Sequence, residues 1–112
     1  MDNRDFQIIS KILKEIDVIE ELINGFDLDK FSSDERTKRA VCMTVINIGE
    51  LTKSLTEDVR NTYSSIPWKS IAGMRDITVH KYQTLKIGDV WLTIVNDIPK
   101  LKGQLIDIIN NV

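Results

Sequence analysis

The sequence contains a single cysteine, Cys42, and a single histidine, His80, in 112 residues. One thiol cannot form an internal disulfide, and one histidine with one distant cysteine makes no recognisable zinc site, so we expect no structural metal. No apolar run approaches the roughly 20 residues that a bilayer requires. The first residues, Met-Asp-Asn-Arg-Asp, lack the apolar segment of a signal peptide. These absences predict a cytoplasmic protein with no membrane span.

The motifs of several common enzyme classes are also absent. The sequence has no Gly-x-x-x-x-Gly-Lys phosphate-binding loop, no glycine-rich dinucleotide fingerprint after a strand and no Gly-x-Ser-x-Gly elbow. A carboxylate-bridged metal pair in a helical bundle would need Glu-x-x-His motifs, and none occurs. We therefore expect any chemistry to proceed without a metal or cofactor.

The net charge is small, but the charged residues are unevenly distributed along the sequence. The formal net charge of −2 argues against a general nucleic-acid coat. Residues 1–35 carry a net charge of −6, whereas residues 36–112 carry +4. Between positions 67 and 87 the sequence has one acidic residue, Asp76, and four basic residues: Lys69, Arg75, Lys81 and Lys86. This segment is either a solvated helix face or a basic patch that could bind a few phosphates.

Apolar residues recur at helical spacing along most of the sequence, and no alternating strand pattern competes with them. The first helix is expected from about Asn3 to Asn24, where five isoleucines follow the spacing of a bundle helix: Ile9, Ile12, Ile16, Ile19 and Ile23. Gly25 follows as a C-terminal stop. The capping-box pattern Ser32-x-x-Glu35 is expected to open the second helix.

The third helix is expected over about Pro67 to Val79, and the last from Lys86 to Asn110. Pro99 lies inside the last helix and should kink or split it, because proline interrupts the hydrogen-bond ladder.

Gly49, in the middle of the second helix, destabilises that helix by about 1 kcal/mol relative to alanine. The close approach of another helix would explain why a glycine is present there. The pattern predicts an all-α fold, an up-and-down bundle of four to five helices forming a single domain over residues 1–112.

The most unusual stretch runs from Pro67 to Tyr82. It places an arginine on an otherwise apolar line at helical spacing, formed by Trp68, Ala72, Arg75 and Val79. A guanidinium there is costly to desolvate unless a partner or an anionic ligand meets it. Arg75 and His80 diverge by about 140° on a regular helix. They converge only if the helix ends near His80, if the arginine reaches across, or if a second copy of the chain contributes. If the helix continued, Tyr82 would lie on the same face as Arg75, because it follows Arg75 by seven residues, about two helical turns.

Histidine and arginine together suit metal-free cleavage of an RNA phosphodiester. His80, with a pKa near the reference of about 6.5, could act as base or acid, and Arg75 could clamp the phosphate bidentately. Base and acid are two roles and each chain has one histidine, so a twofold homodimer would supply both. Asp76, four residues before His80, could hydrogen-bond one imidazole nitrogen. That contact is either a helix-terminal hydrogen bond and nothing more, or part of a reactive site.

Two motifs resemble those of the HepT family. Arg75-x4-His80-x-Tyr82, preceded by Ile-Pro-Trp at 66–68 and Ile-Ala-Gly-Met at 71–74, is similar to the signature of the HEPN-domain ribonuclease toxins of HepT/MNT toxin–antitoxin systems. Asn-Ile-Gly-Glu at 47–50 resembles the glycine–glutamate segment of the family's second helix. The likeness extends over essentially the whole chain.

The resemblance implies a metal-independent endoribonuclease toxin that cleaves RNA at a composite site in a homodimer cleft, with Arg75 and His80 as catalytic residues. It also implies an MNT-type nucleotidyltransferase antitoxin as partner, which would attach AMP to Tyr82. Tyr82 is thus either an AMPylation site or a tyrosine that packs the helix end, and Glu50 is either an exposed charge or a partner of Arg75. The alternative function is a non-catalytic HEPN nucleotide-binding module that docks a minimal nucleotidyltransferase.

Overall fold

Helices account for all the regular structure in residues 1–76 and 82–112, which are the residues that the computed structural model describes. The α-helices are α1 (Asn3–Leu22), α2 (Leu28–Ser33), α3 (Glu35–Lys53), α4 (Glu57–Thr62), α5 (Trp68–Ala72), α6 (Ile87–Leu92) and α7 (Ile98–Asn110). A 3-10 turn, Gly73–Asp76, follows α5, and a π-helical turn, Thr93–Asp97, joins α6 to α7. The predicted all-α bundle is confirmed. Within the described ranges, no helix has the length and apolarity needed to cross a membrane.

Helix α3 is the element on which the others are assembled. It packs along α1 and also contacts α2, α5 and the 3-10 turn, while α1 packs in addition against α7. Four of the five isoleucines in the stripe predicted for the first helix form the centre of the core, because Ile9, Ile12, Ile16 and Ile19 are all fully buried. The helix ends at Leu22, so the fifth, Ile23, is its C-cap and only partly buried. The side chains that face them from α3 and α7 are likewise buried aliphatic residues: Val41, Val45, Ile48, Leu101, Leu105 and Ile108.

The predicted capping box at Ser32 is wrong. Ser32 lies inside the short helix α2, and the N-cap of α3 is Asp34, whose Oδ1 accepts a hydrogen bond from the backbone N–H of Thr37 at 3.0 Å. An aspartate caps as well as a serine does, and burial of Phe31 in the core draws residues 28–33 into a separate helical turn. At the end of α1, Gly25 adopts a positive φ of 78°, which supports its predicted role as a stop.

The last helix is interrupted, as Pro99 predicts, but the irregularity begins one turn before the proline. The chain forms the π-helical turn Thr93–Asp97, and Pro99 is then the second residue of α7. A proline cannot donate to the carbonyl four residues earlier, and a π turn is a known way of absorbing such a break without ending the helix. Ile94 and Ile98 remain buried on either side of it.

A buried carboxylate fixes the start of α1 to the loop before α4. Asp5 is 2% exposed and accepts hydrogen bonds from Oγ1 of Thr56 at 2.7 Å and from its backbone N–H at 3.0 Å. Burial alone would raise the pKa of Asp5, but the two hydrogen bonds from Thr56 outweigh it, so this pKa is lowered from the ordinary 3.8.

Asp5→Ala is expected to lower the free energy of unfolding by about 1–3 kcal/mol, because it leaves two partly buried donors of Thr56 without their acceptor. Since the folded-state pKa lies below 3.8, the stability from Asp5 is complete above that pH and is lost as the pH falls through the folded value. Urea denaturation at pH 7 and pH 3 measures both effects. Asp107→Ala, at an exposed position of α7, should change stability by less than about 0.5 kcal/mol; an equal loss in the two variants would contradict the assignment.

Candidate active site

The arginine of the motif is positioned by a close contact between two backbones. A Cβ added to Gly49 on α3 would lie 3.1 Å from the carbonyl oxygen of Ala72, 3.1 Å from the Cα of Arg75 and closer still to the Arg75 nitrogen. Glycine is therefore the residue that lets the end of α5 and the 3-10 turn lie directly on α3. This confirms the prediction that Gly49 marks a close approach.

Arg75 itself lies at the surface rather than on a buried line. The α-helix ends at Ala72 and tightens into the 3-10 turn, which changes the direction in which Arg75 projects. Trp68 and Ile71 are buried, whereas the Arg75 side chain is 39% exposed. The guanidinium is therefore not buried with the apolar line, and Arg75 meets a partner carboxylate while remaining accessible to an anionic ligand.

Glu50 is both exposed and paired, so its two predicted roles coexist. Its Oε1 lies 3.3 Å from Nη1 of Arg75, and its side chain is 56% exposed. The Asp76 carboxylate is farther away, with Oδ1 at 3.9 Å from Nε of the same arginine and a side chain 61% exposed. Pairs of this kind are worth roughly 0–1 kcal/mol. Glu50 therefore orients the guanidinium without holding it so tightly that a phosphate could not replace the carboxylate.

Tyr82 contacts the opposite end of α3. Its hydroxyl donates a hydrogen bond of 2.7 Å to Oε1 of Glu35, and the guanidinium carbon of Arg39 lies 4.8 Å from the centre of its ring. Glu35 also accepts from Nε of Arg39 at 3.0 Å and lies 3.0 Å from Nζ of Lys38. Partial burial, followed by the hydrogen bond to Glu35, raises the pKa of Tyr82 to about 12. The phenol is therefore a protonated donor throughout the physiological range.

Tyr82 does not lie beneath Arg75, because the two side chains contact residues near opposite ends of α3. The two side chains bind carboxylates at Glu35 and Glu50, which are separated by roughly 22 Å along α3 at 1.5 Å per residue. Arg75 and Tyr82 are thus each attached to α3, Arg75 near its C-terminal end and Tyr82 at its N-terminal end.

His80 lies outside the described residues, as do Val79 and Lys81. The predicted hydrogen bond between Asp76 and His80 and the convergence of His80 with Arg75 stay predictions. The described residues 1–76 and 82–112 contain no cluster of three or more acidic, histidine or cysteine side chains suited to a metal ion.

Two residues of this region were not expected from the sequence. Glu35 was interpreted as part of a capping box, and Arg39 was not singled out, yet both contact Tyr82. Arg39 follows Glu35 by four residues, the spacing of a helical ion pair, so their mutual contact could have been inferred. Their contact with a side chain more than forty residues away could not, because no local spacing rule links them.

Glu35→Gln is expected to lower the pKa of Tyr82 from about 12 towards the ordinary value of 10, because the neutral amide no longer repels the phenolate. An alkaline titration of tyrosine absorbance measures the shift. Tyr82→Phe identifies which transition belongs to Tyr82, since Tyr63 then remains as the sole tyrosine. If the higher transition were the same in the parent and in Glu35→Gln, the hydrogen bond would not control the phenol.

Comparison with known proteins places the chain among ribonuclease-type sequences. Residues 12–108 match the family described as Ribonuclease HepT-like. A protein named "Putative RNase TTE0752", from Caldanaerobacter subterraneus subsp. tengcongensis, is 35% identical over 101 residues, covering 90% of each chain. One named "Probable ribonuclease HepT", from Thermococcus cleftensis, is 33% identical over 96 residues, covering 86% of this chain and 87% of its own. No solved structure matches the chain.

Proposed function

Because this chain belongs to the HepT-like ribonuclease family, we propose that it is a metal-independent endoribonuclease that acts as the toxin of a HepT/MNT-type toxin–antitoxin system. The observation that carries the proposal is the exposed guanidinium of Arg75, held on α3 by the contact at Gly49 and only weakly paired with Glu50. An accessible cation in a fixed place is what the transfer of a phosphate group requires.

The proposed reaction is an attack of the ribose 2′-hydroxyl on the adjacent phosphorus. His80 removes the proton from the 2′-oxygen, the new P–O bond closes a cyclic phosphate, and the bond to the 5′-oxygen breaks. Arg75 donates to the non-bridging oxygens, where negative charge accumulates in the transition state. The 5′-oxygen leaves with a proton supplied by an acid.

The acid is the His80 of a second protomer. Each chain contains one histidine, and one imidazole cannot act as base and acid at the same moment. A homodimer with twofold symmetry brings two copies of the motif into one cleft and provides both groups, together with a second Arg75.

Neutralisation by an MNT-type nucleotidyltransferase acts through Tyr82. Transfer of AMP from a nucleoside triphosphate forms a bond between the phenolic oxygen and the α-phosphorus, breaks the α–β anhydride bond and releases pyrophosphate. The phenol loses the proton that it donates to Glu35, and a phosphate is placed close to the Glu35 carboxylate. Within one protomer, this nucleotide would be a long way along α3 from Arg75. We therefore propose that AMPylation releases Tyr82, which lies two residues after His80 in the sequence, from its contact with Glu35 on α3.

The test is cleavage of single-stranded RNA by the purified protein in EDTA. We expect products with 2′,3′-cyclic phosphate ends and no cleavage by His80→Ala, which should retain the helical circular dichroism of the parent. Binding to a nucleotidyltransferase without cleavage of any RNA would instead favour the non-catalytic docking module. Loss of cleavage in EDTA, with recovery on addition of a divalent metal, would contradict the metal-independent mechanism.

A further inference from the structure

The outward face of α3 carries an exposed methionine at its centre. Met43 is 58% exposed, which makes it the most exposed large apolar residue inside any helix of the described ranges. The helix begins at Glu35 and ends at Lys53, so Met43 lies one residue from its midpoint. A single exposed apolar residue is ordinary on a protein surface. The informative feature is the arrangement of charges on either side of it.

The residues seven positions before and after Met43 carry opposite charges. Arg36 and Glu50 are both exposed, and seven residues are almost two turns, so both lie within about 20° of Met43 around the helix. Arg39 and Asn47, four residues to either side, lie within about 40° of it. These five residues, defined here as the Met43 stripe, are basic towards the N-terminus of α3 and acidic towards its C-terminus. A stripe of this kind is complementary to a second copy of itself in the antiparallel direction.

We propose that a second copy of this chain packs on the Met43 stripe, with the two α3 helices antiparallel and the twofold axis at Met43. Position 43 then faces itself, and Arg36 of each copy faces Glu50 of the partner subunit. At a crossing angle of about 20°, which is common in helical bundles, both charge pairs form together. The inference rests on the proposed function, because that function requires two copies of the chain and does not specify the surface that joins them.

The pair of helices adds a residue to the candidate active site. Oε1 of Glu50 already lies 3.3 Å from Nη1 of Arg75. Arg36 of the partner subunit would contact the same carboxylate and bring a second guanidinium within reach of a phosphate bound at Arg75. Binding of the phosphate is therefore expected to depend on the partner subunit.

The same pair brings Tyr82 of one copy close to Arg75 of the other. Within one chain, the carboxylates that hold these two side chains are roughly 22 Å apart along α3 at 1.5 Å per residue. About the proposed axis, Glu35 of one copy faces Leu51 of the partner subunit, at the end of α3 that holds Arg75. A nucleotide attached to Tyr82 would then lie beside the guanidinium of the other copy, so the proposed modification would act directly on the site that cleaves RNA.

Disulfide cross-linking tests the position of the axis. In Met43→Cys the two thiols face each other, and facing Cα atoms of packed helices fall within the roughly 4–7 Å that a disulfide spans. Oxidised glutathione serves as oxidant: it accepts the two electrons and two protons of the thiols and is released as two reduced molecules. We expect Met43→Cys to form a covalent dimer and the parent, whose Cys42 is buried, to form none.

Leu92→Cys is the matched control for cross-linking. Leu92 is 55% exposed at the end of α6, so a thiol there is about as accessible as one at position 43 but is not part of the stripe. It should form far less covalent dimer than Met43→Cys. Equal yields from the two variants would overturn the proposal, since the disulfides would then come from random collisions.

Charge reversal tests the pairing of Arg36 with Glu50. Arg36→Glu and Glu50→Arg each create two like-charge contacts per dimer, and each should raise the dimer Kd, measured by sedimentation, at least about tenfold. The combined variant restores opposite charges at both ends and should have a Kd within about threefold of the parent. Lys100→Glu makes the same change of net charge at an exposed position of α7 and should leave the Kd unaltered. A combined variant that dimerises no better than the single variants would overturn the proposal.

Failure of the helix pair and failure of the proposed function are distinguishable. If cross-linking and charge rescue are both observed but the parent cleaves no RNA, the pair stands and the proposed function fails. If the parent cleaves RNA as a dimer and both single reversals dimerise as well as the parent, the proposed function stands and the Met43 stripe is not the contact. A parent that sediments as a monomer at every concentration would overturn the pair.

Discussion

Gly49→Ala is expected to lower the free energy of unfolding by about 2 kcal/mol and to abolish most RNA cleavage. Alanine at a mid-helix position gains about 1 kcal/mol over glycine. The added Cβ would meet the Ala72 carbonyl oxygen and the backbone of Arg75. Overpacking against backbone costs about 3 kcal/mol, the upper end of its usual range, because a backbone cannot rotate away as a side chain can. The clash therefore outweighs the gain in helix propensity.

The activity of this variant should fall more than its stability does. The atoms that must move to accommodate the Cβ belong to Arg75 and Ala72, so the guanidinium shifts relative to Glu50 even in molecules that remain folded. A misplacement of about 1 Å can cost roughly 100-fold in rate. Cleavage assayed at 10 °C, well below the melting temperature, separates this loss from unfolding.

Gly103→Ala is the control for the same substitution. Gly103 lies inside α7, and a Cβ there would meet nothing within 4 Å. It should stabilise the protein by up to about 1 kcal/mol through helix propensity alone and leave cleavage unaltered. A stabilising effect of Gly49→Ala, equal to that of Gly103→Ala, would show that α3 and the 3-10 turn are not packed as described.

The sequence was most informative where a single residue imposes a local constraint. Gly49 predicted a close approach, Pro99 predicted an interruption of the last helix, and the spacing of Ile9 to Ile19 predicted the buried face of α1. Each of these follows from backbone geometry or from periodicity. Each is confirmed by the structure.

The sequence was less informative where packing against another helix overrides the local apolar pattern. The apolar line through Trp68 and Ala72 predicted a helix that continues past Arg75, but the docking of this segment on α3 ends the α-helix at Ala72. That change leaves Arg75 at the surface. The contact of Tyr82 with Glu35 depends on tertiary packing, and spacing along the chain carries no information about it.

Arg75→Ala is expected to lower kcat for RNA cleavage by about 100- to 1,000-fold, the usual loss when one donor to a developing negative charge is removed. Its effect on folding should be small. Among the residues that the structure describes, exposed Arg75 pairs with the exposed carboxylates of Glu50 and Asp76, and such pairs contribute roughly 0–1 kcal/mol. The melting temperature should therefore stay close to that of the parent, while the rate under single-turnover conditions falls.

Arg75→Lys refines the interpretation, because lysine keeps the charge but loses the planar, bidentate donor. A role limited to attracting RNA would be restored by lysine, and KM would recover with it. A role in the transition state would not be restored, and kcat would remain at least about tenfold below the parent. The control for net charge is Arg4→Ala, which removes one positive charge from the exposed start of α1. This variant should leave kcat unaltered. If Arg75→Ala cleaved RNA as fast as Arg4→Ala, the guanidinium would have no part in the reaction, and the exposed position of Arg75 beside Glu50 would need a different explanation.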